Sequence, residues 1–293
     1  MHALITPLRY PGGKGQLANY IKLLIKKNQL VGGCYAEVYA GGAAVAMSLL
    51  VDGYVSQVVI NDINLAIYSF WSTVLTQTEE LSKLITDTPI DMRQWHRQKA
   101  VQDDVLNHTP LELAFSTFFL NRTNRSGILK AGVIGGKEQT GKWKLDARFN
   151  KINLVNRIQQ IARFADQITV FNLDAAKFIR NMIPKLPRKT FVFLDPPYYV
   201  KGKDLYEHHY AHKDHVRIAN LVKAYVKRPW LISYDDAPEI RQLYTGFHQQ
   251  LYKLSYSAQD RYKGAEVLIH SKRLTVPSVV SPLHVSARMI SAA

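Results

Sequence analysis

Short apolar runs alternate along the chain with segments of helical periodicity. The runs at residues 35–39, 58–60, 168–171, 191–194, 230–233 and 267–270 have the length and composition of buried strands. Residues 15–28, 43–50 and 150–164 instead place apolar side chains three and four positions apart, as amphipathic or buried helices do. This alternation predicts an α/β fold with a mostly parallel sheet.

The middle of the chain follows a different pattern. Residues 72–150 show no clear strand, residues 111–120 form a strongly apolar helix, and residues 121–143 are rich in Gly, Lys and Arg. We therefore expect a separate, mainly helical insert at 72–150 with a basic, flexible edge. The sheet domain then comprises residues 1–71 and 151–272, and the Ser/Val/Pro-rich residues 273–293 are expected to form a loose tail.

Composition excludes several classes of protein. Among the 293 residues, 47% are hydrophobic and 21% charged, which excludes wholesale disorder, and no apolar run approaches the roughly 20 residues of a membrane span. Residues 1–8 lack the pattern of a secretory signal. Cys34 is the only cysteine, which excludes an internal disulfide and a multi-cysteine zinc site. We interpret Cys34 itself as a small core residue. We expect a cytoplasmic protein.

The net charge of +15 points to a polyanionic partner, of which nucleic acid is the commonest. The alternative is that the excess charge only keeps the surface soluble. The run of residues 121–127 favours the first interpretation, because it mixes arginine and asparagine, the usual readers of guanine and adenine, and is followed by lysines suited to phosphates. The predicted DNA contacts are Asn121, Arg122, Asn124, Arg125, Lys130, Lys137 and Lys142.

The sharpest chemical signal is Asp195-Pro196-Pro197-Tyr198, directly after an apolar strand. The prolines end the strand and stiffen the loop. A carboxylate, a backbone carbonyl and an aromatic ring at a strand end suit a planar amine. Asp195 and the Pro196 carbonyl would accept its two hydrogens, while the ring of Tyr198 stacks on it.

A second signal is the small-residue turn at 37–43, between a strand and a helix. Asp62 follows Gly41 by 21 residues at the end of the next strand, a spacing that suits a carboxylate on ribose hydroxyls. Nicotinamide and adenosine cofactors both use this pattern. Near the N-terminus, residues 9–14 carry tandem glycines and Lys14, without the spacing of a phosphate loop, and Lys14 suits an anionic ligand group.

Four histidines at positions 208, 209, 212 and 215 raise the question of a metal. No cysteine accompanies them, and no third ligand stands at a defined spacing. We expect no metal site, and a solvated or DNA-facing segment there instead.

Taken together, these motifs resemble the Dam-type family of DNA adenine methyltransferases, in which the cofactor motifs come first and Asp-Pro-Pro-Tyr comes late. The resemblance runs to about residue 271. It covers residues 10–14, 37–43, 61–64, 121–122, 195–198 and 233–236. Residues 37–39 read Glu-Val-Tyr where the family usually has Glu-Pro-Phe, and Ala43 replaces its second glycine.

The resemblance implies a Rossmann-like, S-adenosylmethionine-dependent methyltransferase sheet, with a target-recognition domain at 72–150. It implies site-specific methyl transfer to the 6-amino group of an adenine flipped out of duplex DNA. Asp195, Pro196, Pro197 and Tyr198 would hold the target base. The implied cofactor-binding residues are Tyr10, Lys14, Glu37, Tyr39, Gly41, Gly42, Asp62, Phe171, Asp174 and Asp195.

Other functions stay open from the sequence. They are transfer to RNA or to the cytosine amino group, a catalytically silent DNA-binding relative, and a dinucleotide oxidoreductase. The last rests only on the glycine turn and Asp62. Duplex DNA is the expected partner, no protein partner is required, and a cognate restriction enzyme would make this a restriction-modification enzyme. The sequence does not specify which bases are read.

Overall fold

A computed structural model describes residues 5–10, 13–200, 210–255 and 263–293. A seven-stranded sheet forms its centre. The strands are β1 (Gly33–Glu37), β2 (Val55–Asn61), β3 (Ile168–Phe171), β4 (Thr190–Leu194), β5 (Trp230–Asp235), β6 (His248–Ser255) and β7 (Lys263–His270). The described helices are α1 (Ala18–Lys27), α2 (Ala44–Val51), α3 (Leu65–Thr76), α4 (Thr78–Asp87), α5 (Met92–Asp103), α6 (Pro110–Thr123), α7 (Lys151–Ala162), α8 (Ala175–Asn181), α9 (His212–Tyr225), α10 (Pro238–Leu243) and α11 (Ala287–Ser291).

The strand order is β3-β2-β1-β4-β5-β7-β6, with the first five strands parallel and β7 antiparallel to both β5 and β6. The order 3-2-1-4-5 is that of a doubly wound sheet, whose ligands bind at the carboxyl ends of the strands. The predicted Rossmann-like α/β fold is therefore confirmed. Since β1 and β4 are adjacent and parallel, the residues that follow them meet at one edge of the sheet.

The central strands are buried on both faces, which explains why they are continuous apolar runs rather than alternating ones. Side chains of alternate residues enter two hydrophobic clusters. Tyr35 and Phe191 pack with α1, α3 and α6 on one face, and Ala36 and Val192 pack with α8 and α9 on the other.

The segment 72–150 is mainly helical up to residue 123, and it is not separate from the sheet domain. Phe118 of α6 stacks on Phe70 of α3, with ring centroids 6.1 Å apart, and both belong to the cluster that contains Tyr35 of β1. The expectation of a separate insert is wrong, because the apolar face of α6 is buried against the sheet layer and belongs to the same core. Residues 124–150 follow α6 as turns and irregular chain.

The expectation of a loose tail is also wrong. Val285 and Ile290 are buried against the α1 side of the molecule. Asn19 donates to the Val285 carbonyl at 2.9 Å, and Lys26 donates to the Ile290 carbonyl at 2.7 Å. Polar side chains of α1 thus bind the backbone of a segment whose own sequence shows no periodicity.

Strand β6 has no counterpart among the predicted strands. It lies at the edge of the sheet, where Leu251 is exposed and Tyr252 is buried, and its polar residues resemble a loop in sequence. In the described ranges, no helix combines the length and the apolar character required to cross a bilayer.

Candidate active site

A cavity of about 740 Å³ opens at the carboxyl ends of the parallel strands. It collects residues that are far apart in sequence, from the N-terminal segment to β4. The predicted site residues that line it are Tyr10, Lys14, Glu37, Tyr39, Gly41, Gly42, Asp62, Asn121, Arg122, Lys130, Asp174, Asp195 and Pro197. Tertiary structure thus brings most of the predicted cofactor residues and part of the predicted DNA set to one place.

The glycine turn forms one wall of the cavity. Gly41 has a φ of +44°, and a Cβ there would lie 2.8 Å from the ring of Tyr10, so only glycine allows this packing. The Asp62 carboxylate accepts the Gly41 amide at 2.8 Å and the Asn64 amide at 2.9 Å. Asp62 therefore holds the turn while lining the cavity. Ala43 adopts the left-handed conformation (φ +43°), which costs about 1–2 kcal/mol in a residue with a Cβ.

Glu37 ends β1 as a buried carboxyl, 5% exposed, in the cavity wall. Burial raises its pKa well above the ordinary value, and the nearby charge of Asp195 raises it further. Its Oε2 has no hydrogen-bond partner among the described residues. A buried acceptor without a donor is costly, so this oxygen suits a cationic or amine group of a ligand.

Asp195 lies at the end of β4 beside a buried lysine. Lys14 Nζ is 2.9 Å from Asp195 Oδ1 and 3.0 Å from the hydroxyl oxygen of Tyr198, to which it donates. The Tyr198 hydroxyl in turn donates to Glu266 of β7, and Tyr252 of β6 donates to the same carboxylate. Glu266 is 1% exposed and is 3.8 Å from Lys14 Nζ. Sequence analysis missed Glu266, because β7 reads as an ordinary apolar strand.

This arrangement controls the charge of Asp195. Burial raises its pKa, Lys14 opposes that rise by its charge and hydrogen bond, and Glu266 adds to it, so that the pKa is about 6. Burial alone would lower the pKa of Lys14, but Asp195, Glu266 and Asp235 together raise it. Lys14 is therefore an ammonium group at neutral pH, and it favours the ionised form of Asp195.

The loop after Tyr198 is anchored by β5. Asp235 accepts the backbone amides of Tyr199 at 2.7 Å and Val200 at 2.8 Å. This explains why residues 233–236 belong with residues 195–198 as one structural unit. The Asp195 loop is therefore fixed by its two prolines and by the two hydrogen bonds from its backbone amides to Asp235.

A pair of tyrosines also lines the cavity. Tyr210 lines the cavity, and its hydroxyl lies 3.1 Å from that of Tyr39. Burial raises the pKa of Tyr210 to about 12. Sequence analysis did not select Tyr210, because a single tyrosine next to histidines carries no pattern. His215 of α9 lies against its ring and is 3.0 Å from the Tyr234 hydroxyl.

Two predicted roles need correction. Tyr198 was expected to offer its ring for stacking, but it is only 1% exposed and does not line the cavity, because its hydroxyl is held by Lys14 and Glu266. Phe171 was expected to line the cofactor's adenine, but it packs on Phe178 at 5.6 Å between ring centroids and lies outside the cavity wall. Pro196 is a buried residue of the Asp195 loop.

Asn121 and Asn124 were expected to read bases, and the structure gives both a structural role instead. Asn121 accepts the Arg9 amide at 2.7 Å and donates to the carbonyls of Arg9 and Gly127 at 2.6 and 2.8 Å. Asn124 accepts from the Trp95 indole at 2.7 Å and donates to the loop backbone. Both side chains are buried and their amide groups are occupied by these hydrogen bonds, which leaves no donor or acceptor to read a base.

The remaining predicted DNA contacts lie on the surface or at the cavity. Arg122 and Lys130 line the cavity, whereas Arg125, Lys137 and Lys142 are exposed elsewhere on residues 124–150. Trp143, also missed from the sequence, is 62% exposed, with Lys142 Nζ 5.8 Å from its ring centroid. The alternation of basic and aromatic residues was the available signal.

The cofactor and histidine motifs extend partly outside the described residues. Pro11 and Gly12 of the N-terminal motif, and His208 and His209, lie there. Of the other two histidines, His215 is buried, and burial lowers its pKa to about 4. Cys34 is a buried core residue, as predicted.

The chain matches a known protein family and a curated relative. The family model of the D12 class N6 adenine-specific DNA methyltransferases matches residues 10–258. Modification methylase StsI of Streptococcus sanguinis is 27% identical over 209 residues, which are 67% of this chain and 29% of that protein. The chain thus matches less than a third of that curated relative's length.

Among solved structures, the rRNA methyltransferase aviRa from Streptomyces viridochromogenes superposes with a TM-score of 0.39 at 10% identity. The superposition covers 89% of this chain and 86% of that one. So loose a match carries no argument about this chain, and the fold assignment rests on the strand order.

Proposed function

The chain belongs to the D12 class of N6 adenine-specific DNA methyltransferases, and from this premise we propose that it methylates the 6-amino group of adenine in duplex DNA at a specific site. The methyl donor in this proposal is S-adenosylmethionine, and the target adenine is flipped out of the helix. The observation that carries the proposal is the Asp195 carboxylate in the cavity at the end of β4, paired with Lys14.

The residues around the cavity fit the proposed cofactor. The unpartnered Glu37 Oε2 would accept from its amino group, and Asp62, at the end of β2, would bind its ribose. The Gly41-Gly42 turn would let the backbone approach it closely. When bound, S-adenosylmethionine supplies an electrophilic methyl carbon attached to a sulfonium.

The chain's own residues then act on the amine. The 6-amino nitrogen of adenine is conjugated with the ring and is a poor nucleophile. The Asp195 carboxylate and the Pro196 carbonyl would accept its two hydrogens and localise the lone pair. Lys14 keeps Asp195 ionised, and the prolines fix its position, so the contribution is mainly orientation and preorganised charge.

Flipping the base costs about a few kcal/mol of pairing and stacking free energy. An aromatic wall in the cavity would recover part of it, since stacking on a ring is worth about 1–3 kcal/mol per base. Because the Tyr198 ring is buried, Tyr210 is our candidate for this role. Exposed Arg125, Lys137 and Lys142 would contact the duplex outside the cavity.

The decisive experiment compares Asp195→Asn with the parent. Tritium from labelled S-adenosylmethionine is counted in duplex DNA, in RNA and in DNA without adenine. The parent should label only adenine-containing duplex, and Asp195→Asn should lose nearly all transfer because its amide presents donors to the amine.

Cofactor and DNA binding by Asp195→Asn, measured by calorimetry and fluorescence anisotropy, should persist. Full transfer by this variant would refute the assigned role. Labelling of RNA or of adenine-free DNA by the parent would instead identify a different substrate. Mapping methylated adenines in an otherwise methylation-free host would give the site, and a restriction enzyme of the same specificity would make this its modification partner.

A further inference from the structure

Three arginines line the cavity, and a fourth, exposed arginine lies near them. Arg9, Arg122 and Arg157 line the cavity. Arg148 lies close enough that its charge lowers the pKa of both Arg9 and Arg122. We call these four residues the arginine cluster. Of the four, only Arg122 was predicted from the sequence as a DNA contact, because the other three lie 26 or more positions away from it along the chain.

Local contacts set the positions of the cluster. The Arg9 backbone is clamped by Asn121, the neighbour of Arg122, and Arg9 Nη1 donates to the Asn124 carbonyl at 3.3 Å. Gly127 permits this approach, because a Cβ there would lie 2.6 Å from the Arg9 carbonyl oxygen. Arg157 donates to the Thr6 carbonyl at 3.2 Å, which links α7 to the same N-terminal segment.

The cluster carries a charge that the described residues do not balance. No carboxylate of that part of the chain lies within 4.0 Å of any of the four guanidinium groups. Arg122 is the extreme case. Burial, and after it the charges of Arg9, Arg157 and Arg148, together lower its pKa to about 9, and its buried Nε has no hydrogen-bond partner in the described structure.

Grouping like charges in a partly buried place disfavours the folded state, and a buried donor without an acceptor adds to the cost. An anion with several oxygens would relieve both effects. Guanidinium groups match phosphate oxygens by paired hydrogen bonds, so phosphate is the ligand chemistry that this cluster suits best.

We propose that the arginine cluster binds the DNA backbone phosphates that flank the extruded nucleotide. This inference rests on the proposed function. The cavity then has two electrically distinct ends, with carboxylates at the sheet edge for the base and the cofactor, and arginines where the strand enters. Phosphates carry no base identity, so the cluster contributes affinity equally at all sequences.

The test uses the salt dependence of DNA binding. Each lost phosphate contact reduces the slope of log K against log salt concentration by about 0.9. Anisotropy titrations on two duplexes of unrelated sequence would compare the parent with Arg122→Met and with Arg122→Met/Arg148→Gln. The slope should fall by about 1 and about 2 units, equally on both duplexes. Arg122→Lys should retain most of it.

Arg163→Gln is the matched control, since it removes one charge from the exposed end of α7, outside the cavity wall. Its slope should stay at the parent value. The melting temperature of Arg122→Met should not fall below that of the parent, because the change relieves repulsion. A lower melting temperature would assign Arg122 a structural role and overturn the proposal.

Two further outcomes separate this inference from its premise. Variants that keep the parent slope but lose affinity for S-adenosylhomocysteine would assign the cluster to the cofactor carboxylate and overturn the phosphate proposal. A parent protein that binds neither duplex would contradict the proposed function itself. A parent that binds and methylates DNA, with variants of unchanged slope, would overturn only the cluster.

Discussion

Replacing Lys14 by methionine should move the ionisation of Asp195 to higher pH. The variant keeps an unbranched chain of similar length but removes the charge 2.9 Å from Asp195 Oδ1. At an effective dielectric constant of about 20, two unit charges at that distance attract by about 6 kcal/mol. One pKa unit corresponds to about 1.4 kcal/mol, so even a quarter of this attraction shifts the pKa by about one unit.

The sign follows from the protonation states. The carboxylate is the form that accepts from the amine, so methyl transfer by the parent should rise with pH through about 6. Without Lys14 the protonated form of Asp195 persists to higher pH, so the rise in methyl transfer occurs at higher pH and reaches a lower plateau. A carboxyl whose pKa is raised in the folded state adds to the free energy of unfolding at pH values below its unfolded pKa. This contribution is lost as the pH rises through the folded pKa. The free energy of unfolding of Lys14→Met should therefore fall, relative to the parent, between about pH 5 and 8.

The assay is a carbon-13 NMR titration of labelled aspartate carboxyls, with Asp195 assigned from Asp195→Asn. This measurement reports ionisation even where turnover is too slow to follow. Lys22→Met is the matched control, because Lys22 is equally buried and pairs with Asp52 at 2.5 Å on the α1 side. It should destabilise the protein without moving the Asp195 titration. The same Asp195 midpoint in both lysine variants would refute the argument.

The remaining predictions concern the site and the tail. Glu266→Gln should lower the midpoint of Asp195, opposite to Lys14→Met, because it removes a negative neighbour; an unchanged pH profile would show that Glu266 is only structural. Asp62→Ala should weaken cofactor binding at least tenfold in calorimetry while DNA binding persists, and equal loss of both would indicate a collapsed turn. Ile290→Ala should reduce the free energy of unfolding by about 2 kcal/mol or more in urea, whereas the exposed neighbour Met289→Ala should change it little, and equal effects would contradict the packed tail.

Local sequence determined the central sheet and its chemistry. Strands β1 and β4 are buried on both faces, so their apolar runs are unambiguous, and parallel pairing requires Glu37 and Asp195 to meet at one edge. The family resemblance, drawn from the same motifs, is confirmed by the match over residues 10–258. Such features can be recognised in the sequence because consecutive residues of a buried strand lie in the same apolar environment.

Contacts between distant segments decided the rest. Asn121 and Asn124 belong to a basic, polar run that resembles a solvated surface, and only the packing of Arg9 and Trp95 against them makes them internal. The stacking face expected of Tyr198 was lost for a similar reason: a carboxylate on β7, 68 positions away, holds its hydroxyl. Burial is a property of the whole fold, and no pattern around a single residue reveals which partner covers it.

The same reason explains the tail and the arginine cluster. Residues 273–293 have no periodicity, yet side chains of α1 hydrogen-bond to their backbone. The polar face of α1 has the sequence of an ordinary solvent-exposed face, so it does not predict this contact. Arg9, Arg122, Arg148 and Arg157 come from separate segments, each bland alone, and become a charged site only where the N-terminal segment crosses α6 and α7. The chemically capable groups can be recognised from residue types and motifs alone. Which of them are buried, paired or left facing the cavity depends on the fold, because electrostatic and packing free energies depend on neighbours in space.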